Sequence, residues 1–178
     1  MNIILKLLLA IGLSALFLAG CYNMPEYSGD GHLIDNGVRS ATDRYVLNLG
    51  EIDLSQRGTK TYRFMNLPEE GFVAGIEIRV SPKDRSIIER REIKPIVLLE
   101  LSAVGDEVVF MQKERLDMWT WSVPIGESTA FIYGRGEPGT YFQPLPHVEY
   151  TLAITVLQPD PGQLQYTASL LAKSGGWK

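Results

Sequence analysis

From Asp43 onward, apolar and polar residues alternate with a period of two, and this alternation constrains the fold more than any other feature of the sequence. Tyr45, Leu47 and Leu49 alternate with polar or smaller neighbours, and so do the residues of Phe72–Val80. Strict alternation places one face of a strand on a core and the other in water, as in antiparallel sheets. The sequence therefore predicts an antiparallel β domain.

Short strand candidates recur to the end of the chain and are separated by turns rich in Gly and Pro. The segment around Tyr45–Leu49 and Phe72–Val80 are two of these candidates. The others are 62–65, 96–103, 107–112, 119–123, 131–133, 150–156 and 164–173. Strands of this length and spacing predict an all-β fold, a single antiparallel β-sandwich of about 8–9 strands. We expect it to span 43–174, with a hairpin at Leu98–Phe110, antiparallel pairing of the last two strands and a tail at 175–178.

The amino terminus has the layout of an export signal. An apolar run, Ile3–Phe17, leads into Leu18-Ala19-Gly20-Cys21, which holds the single cysteine of the chain. These four residues resemble the lipobox of bacterial lipoproteins. The resemblance implies a signal peptide at 1–20, cleavage between Gly20 and Cys21, a diacylglycerol thioether on Cys21 and an acyl chain on its new amine. An uncleaved membrane anchor and a plain secretory signal are the alternatives.

The residues after Cys21 bear on location. Neither Tyr22 nor Asn23 is an aspartate. In lipoproteins of bacteria with two membranes, the resemblance then implies transfer to the outer membrane, with the domain on its periplasmic face. Two stretches of the mature part, Asp43–Gly50 and Phe72–Ile78, are also similar to small bacterial lipoprotein domains with a sandwich fold. That resemblance implies an envelope protein and brings no catalytic residues.

Residues 21–42 are rich in Gly, Asp and Asn and show no apolar periodicity, so they predict a flexible tether behind the acylated cysteine. Asp30-Gly31-His32 and Asp35-Asn36-Gly37 faintly resemble a calcium loop. The spacing and the closing glutamate of such a loop are missing, and turn formation is the favoured interpretation. No metal site is predicted.

A charged segment, 81–94, interrupts the alternation. Arg85, Arg90 and Arg91 suggest an anion or partner site, but a solvated loop or single helical turn over Ile87 and Ile88 is favoured. The mixed charges of the segment and the net charge of −4 argue against nucleic acid as a partner.

Candidate catalytic groups are sparse. The two histidines are His32, in the predicted tether, and His147, in a proline-flanked loop. No nucleophile motif accompanies them. Glu69 and Glu70 form a carboxylate pair of the kind that glycosidases use, but they sit in a turn between Pro68 and Gly71. We therefore expect no enzyme activity and no cofactor apart from the covalent lipid.

Aromatic residues mark the candidate contact surface. Trp119 and Trp121 lie two apart on one predicted strand face, with Tyr133, Tyr141 and Phe142 nearby in sequence. An outward face would form a platform for sugar rings or a protein partner, but two core tryptophans are the favoured interpretation. The proline-rich loop 134–147 joins Met118–Trp121 as a predicted contact region.

These observations favour a lipid-anchored envelope protein that binds a protein or glycan partner in the periplasm without catalysis. One form is an immunity or inhibitor lipoprotein, whose acidic balance suits a basic toxin. A structural subunit of an envelope complex and, less favoured, a carboxylate-dependent glycan hydrolase are the alternatives.

Overall fold

A computed structural model describes residues 26–35, 43–105, 107–123, 128–134, 142–159 and 166–175. These residues contain eleven strands. In chain order the strands are β1 (Ser28–Gly29), β2 (His32–Asp35), β3 (Asp43–Ile52), β4 (Gly58–Met65), β5 (Val73–Val80), β6 (Ile96–Ala103), β7 (Glu107–Arg115), β8 (Thr120–Ser122), β9 (Thr129–Tyr133), β10 (Glu149–Gln158) and β11 (Tyr166–Gly175). The predicted signal peptide and Cys21 lie outside the described residues.

The strands form two antiparallel sheets that pack as a sandwich. One sheet has five strands in the order β1-β4-β10-β6-β7, and the other has six in the order β2-β3-β11-β5-β9-β8. The predicted all-β sandwich is therefore confirmed. Because β1 and β2 are consecutive and each ends its sheet, they lie along one edge of the sandwich, and β7 and β8 lie along the opposite edge.

The core consists of the inward-facing residues of both sheets. In the five-stranded sheet, Leu152 pairs with Leu101 and Ile154 with Leu99, so these side chains share a face. Each of these four is almost completely buried. Burying such a side chain contributes about 1.5–3 kcal/mol relative to leaving it exposed. The alternation seen in the sequence is thus the inward and outward alternation of the strands.

Part of the predicted tether belongs to the sandwich. Ser28–Gly29 pairs with β4, and His32–Asp35 pairs with β3. Asp30, between them, fixes the register: its N–H donates to the Arg63 carbonyl at 2.7 Å, and its carboxylate accepts from the Arg63 N–H at 2.8 Å. Strands of two and four residues are too short for a periodic signal, so the sequence did not reveal them.

The predicted pairing of the last two strands is wrong. β10 pairs with β4 and β6 in the five-stranded sheet, whereas β11 pairs with β3 and β5 in the six-stranded sheet. Alternation indicates which face a strand buries but not which strand lies beside it. The hairpin of β6 and β7 is confirmed. β11 also includes Gly175, the first residue of the predicted tail.

The charged segment forms a short helical connection, as expected. Pro82–Asp84 is a single 3-10 turn, and α1 (Ser86–Glu89) is a single α-helical turn. Ile88 is buried, and Ile87 packs partly against the core. Ile93 is completely buried as well, so three isoleucines hold the segment on the sandwich, while most of its charged side chains are exposed.

A second, smaller apolar cluster lies on the outer face of the six-stranded sheet. It contains Val73, Phe131 and Leu171, and the Lys173 ammonium lies 4.8 Å from the centre of the Phe131 ring. The ring crosses Gly75: a Cβ at that position would lie 2.8 Å from the ring and 2.5 Å from the Ile132 carbonyl oxygen. Only a residue without a side chain lets Phe131 pack this closely.

We expect Gly75→Ala to destabilise the fold by about 1–3 kcal/mol, because overpacking of this size shifts the backbone or forces unfavourable rotamers. Chemical denaturation followed by tryptophan fluorescence measures the change. Gly58→Ala is the control, since no atom lies within 4 Å of the Cβ it adds. Equal stability of the two variants would contradict this packing.

Three tyrosines predict how stability responds to alkaline pH. Burial, followed by the charge of Asp30, raises the pKa of Tyr27 to about 12 from its ordinary 10.0. The same causes raise the pKa of Tyr62, and burial followed by the charge of Glu70 raises that of Tyr45. Because these tyrosines ionise at a lower pH in the unfolded chain than in the folded one, alkaline pH favours unfolding. The folded state keeps its full stability below pH 10 and loses stability as the pH rises toward 12.

Tyr45→Phe should cost about 1 kcal/mol at neutral pH, since the Tyr45 hydroxyl donates to the Glu70 carbonyl at 3.1 Å. It should also make the alkaline decline in stability shallower, because one titrating group is gone. Urea denaturation of both proteins across the alkaline range tests this. Parallel declines would show that Tyr45 does not contribute to the pH dependence.

Candidate functional site

A cleft opens along the edge where β7 and β8 end the two sheets. Its volume is about 420 Å³, within the range of roughly 300–1,000 Å³ typical of ligand sites. The described residues that line it are Arg91, Gln112, Glu114, Met118, Trp119, Thr120 and Trp121. It thus combines strand β7, the turn that leads into β8, and the segment that follows α1.

Polar side chains occupy core-facing positions of β7. Gln112 pairs with Leu99 and Glu114 with Val97, and both partners are completely buried. Directly paired residues share a face, so Gln112 and Glu114 point toward the space between the sheets. Glu114 is nevertheless exposed and Gln112 half-buried. Water therefore enters the sandwich at this edge, and the two side chains present an amide and a carboxylate to it.

Gln112 is held by its neighbours. Its amide nitrogen donates to the Glu114 carboxylate at 3.4 Å. Its side chain also crosses Gly134, where a Cβ would lie 2.5 Å from the Gln112 Cγ. Gly134 follows β9 of the opposite sheet, so the missing side chain there lets Gln112 reach across the edge from one sheet to the other.

Trp119 and Trp121 stand at the wall of the cleft. Trp119 is only 3% exposed, and its indole N–H is buried with no acceptor among the described residues. Trp121 is half-buried and pairs with Ile132, which places it on the core side of its sheet. Its indole N–H donates to the Leu116 carbonyl at 2.9 Å. The favoured interpretation of these residues as core holds for Trp119, while Trp121 keeps part of its ring open.

Arg91 reaches the cleft through a strained backbone. The Arg91 N–H donates to the Ile88 carbonyl and the Glu92 N–H to the Ile87 carbonyl, which is the Schellman ending of a helix. In this motif the residue after the helix cap adopts a left-handed conformation, and here that residue is Arg91, with φ of 53°. Glycine usually stands there, because the conformation costs other residues about 1–2 kcal/mol. Arg91 therefore stands at a position whose backbone conformation favours glycine.

The remaining predicted contact residues lie elsewhere. Tyr133 stacks on Phe131 at 5.7 Å, on the outer face of the six-stranded sheet. Phe142 belongs to an aromatic cluster, with ring centres 5.4 Å from Phe72 and 5.0 Å from Tyr150. Tyr141 lies outside the described residues. Of the predicted residues that the structure describes, Trp119 and Trp121 lie at the same site, whereas Tyr133 and Phe142 lie apart from them and from each other.

The two carboxylates of the predicted pair, Glu69 and Glu70, make different contacts. Glu70 accepts from Arg44 at 3.1 Å, whereas Glu69 lines a smaller cavity of about 170 Å³ beside β1 and β2. His147, at φ of 62°, is exposed and donates its N–H to Asn66. Within the residues that the structure describes, no group of three or more His, Cys, Asp or Glu is placed to hold a metal, and no helix is long and apolar enough to cross a membrane.

The cleft contains residues that the sequence did not single out. Gln112 and Glu114 follow Phe110 at a spacing of two, so the phase of β7 already placed them inward. Arg91 was considered within a charged segment that favoured a solvated loop. The sequence Arg90-Arg91-Glu92 contains none of the residues typical of turns, so it does not predict a left-handed conformation at Arg91. Comparisons with protein families, with curated proteins and with solved structures found no match for the chain.

Trp119→Ala should destabilise the domain by about 3–5 kcal/mol, the usual cost of removing a large buried aromatic ring. Met118→Ala, at a neighbouring side chain that is 63% exposed, should change stability by less than about 0.5 kcal/mol. Urea denaturation measures both. A small effect of Trp119→Ala would mean that its ring does not belong to the core.

Proposed function

We propose that the protein is a lipid-anchored binding module of the bacterial envelope, held in the membrane by acyl chains on Cys21, and that the cleft between β7 and β8 is its contact site. The observation that carries this proposal is the cleft itself, in which inward-facing polar groups meet aromatic walls at an open edge of the sandwich. The lipobox-like Leu18-Ala19-Gly20-Cys21 supports the anchor.

The position of the anchor relative to the cleft supports this arrangement. β1 begins seven residues after Cys21, since 28 − 21 = 7, so the connecting chain spans at most about 25 Å when fully extended. The cleft lies at the edge opposite β1. In the five-stranded sheet, four strand spacings separate the two edges by roughly 19 Å. A chain anchored beside β1 therefore leaves the cleft free to face away from the membrane.

The chemistry of the cleft favours binding of a polar partner. Gln112 and Glu114 supply hydrogen-bonding groups, Arg91 supplies a positive charge, and the tryptophans supply apolar surface. A few polar groups converging on an aromatic wall are typical of ligand sites. In this proposal the cleft recognises its partner, and no bond-breaking step is assigned to it. By resemblance to lipoproteins that have no aspartate directly after the cysteine, we place the module at the periplasmic face of the outer membrane.

The anchor is tested by the intact mass of the protein extracted from membranes. We expect a chain that begins at Cys21 and carries the added mass of a diacylglycerol and one acyl chain. Two or more chains hold a protein stably where a single chain binds only reversibly. Cys21→Ser should remain an uncleaved precursor that lacks this mass.

Recovery of unmodified Cys21 in the membrane-extracted protein would contradict the anchor. So would a Cys21→Ser variant that is processed and held in the membrane fraction as firmly as the natural chain. Cys21 is the single cysteine of the sequence, so no second thiol can replace it.

A further inference from the structure

The cleft combines aromatic side chains with side chains that form hydrogen bonds. One wall is aromatic, formed by Trp119 and Trp121, and the facing strand presents the Gln112 amide and the Glu114 carboxylate. Amide and carboxylate oxygens accept hydrogen bonds, and the Gln112 amide and Arg91 guanidinium donate them. A ligand that fits must therefore offer an apolar face and a rim of groups that both donate and accept.

We propose that the cleft between β7 and β8 binds a pyranose ring of an envelope glycan. This inference rests on the proposed envelope function and specifies its ligand. The C–H face of a sugar ring packs on the exposed part of Trp121, while its ring hydroxyls donate to Glu114 and accept from Arg91 and Gln112. An inserted apolar side chain of a protein partner fits less well, because it would leave these polar groups desolvated and unpaired.

The open edge suits a polymer. The cleft runs along the lateral edge of the sandwich, where β7 and β8 are the last strands of their sheets among the residues that the structure describes. Among the described residues, no strand closes this edge, so a glycan chain can extend beyond the bound ring. Carboxylate and guanidinium stand together, so the site does not select strongly for charge, and neutral or acetamido sugars both satisfy it.

Substitution of Arg91 tests ligand binding separately from folding. The left-handed backbone of Arg91 favours glycine, and its guanidinium makes no hydrogen bond or ion pair with the described residues, so Arg91→Gly removes no polar contact within the described part of the fold. A non-glycine residue held in this conformation is a candidate for function. Arg91→Gly should thus keep or raise the melting temperature while it weakens glycan binding about tenfold, the loss expected for one charged hydrogen bond.

The experiment uses the membrane-extracted full chain in detergent and measures binding by isothermal titration calorimetry. One probe is a set of oligosaccharides of acetamido sugars released from purified cell wall, and the other is a set of neutral oligosaccharides released from surface polysaccharide. Saturable binding of either probe supports the inference, and the probe that binds identifies the source of the glycan. Failure of both at millimolar concentration overturns it.

Matched variants locate the binding. Arg91→Gly and Glu114→Gln should each weaken it about tenfold. His147→Gly relieves a similar left-handed backbone far from the cleft, and Lys113→Gln changes a charge on the outer face of β7 beside Glu114, so both should bind as the natural chain does. Binding that is unchanged by Arg91→Gly and Glu114→Gln would overturn the assignment.

The outcome also distinguishes this inference from the function on which it rests. An acylated protein that retains a stoichiometric protein partner but binds neither probe would overturn the glycan and leave the envelope binding module intact. A protein without acyl chains would overturn the anchor whatever the cleft binds.

Discussion

Burial of side chains between the two sheets is the interaction on which the rest of the structure depends. The inward faces of β3, β5 and β11 in one sheet and of β4, β6 and β10 in the other supply most of the core. No disulfide is available to the domain, whose sequence beyond Cys21 has no cysteine. The sandwich must therefore gain its stability from packing, and any departure from apolar inward residues weakens it.

The two lateral edges of the sandwich differ in how they close the apolar core. At the edge of β1 and β2, short paired strands and two hydrogen bonds from Asp30 to the Arg63 backbone, one through its N–H and one through its carboxylate, close the sheets. At the other edge, β8 has only three residues and β7 turns Gln112 and Glu114 inward. Inward charge on an edge strand also discourages pairing with other chains. Protection alone does not account for the arginine at a glycine position, which is why we assign recognition to this edge.

Most of the fold could be predicted from the alternation of apolar and polar residues. Nine strands, β3 to β11, fall on segments whose pattern alone indicated them, and Ile87 and Ile88 marked the helical turn as attached to the core. Partners were not predictable, because alternation leaves the order of strands open, and β10 and β11 lie in different sheets. The strands β1 and β2 were missed because they are too short to alternate.

The site was only partly predictable for a related reason. Tryptophans two apart indicated a shared face, but whether that face points to water or to the core depends on the neighbouring sheet. The spacing of two from Phe110 predicts that Gln112 and Glu114 face inward. Polar residues at inward positions indicate a site only when the strand lies at a sheet edge, and the sequence does not show that β7 does. The left-handed conformation of Arg91 arises from the way α1 ends, which no residue of the sequence signals.

In our proposal the ligand binds at the edge of β7 and β8, and not at the outer faces of the sandwich or at the edge of β1 and β2. Nuclear magnetic resonance of the ¹⁵N-labelled protein during titration with the envelope oligosaccharides tests it most directly. We expect saturable shifts of the indole N–H signals of Trp119 and Trp121 and of the β7 amides, with the signals of β1 and β2 unchanged. Shifts confined to the edge of β1 and β2, or to the outer face around Phe131, would contradict the account.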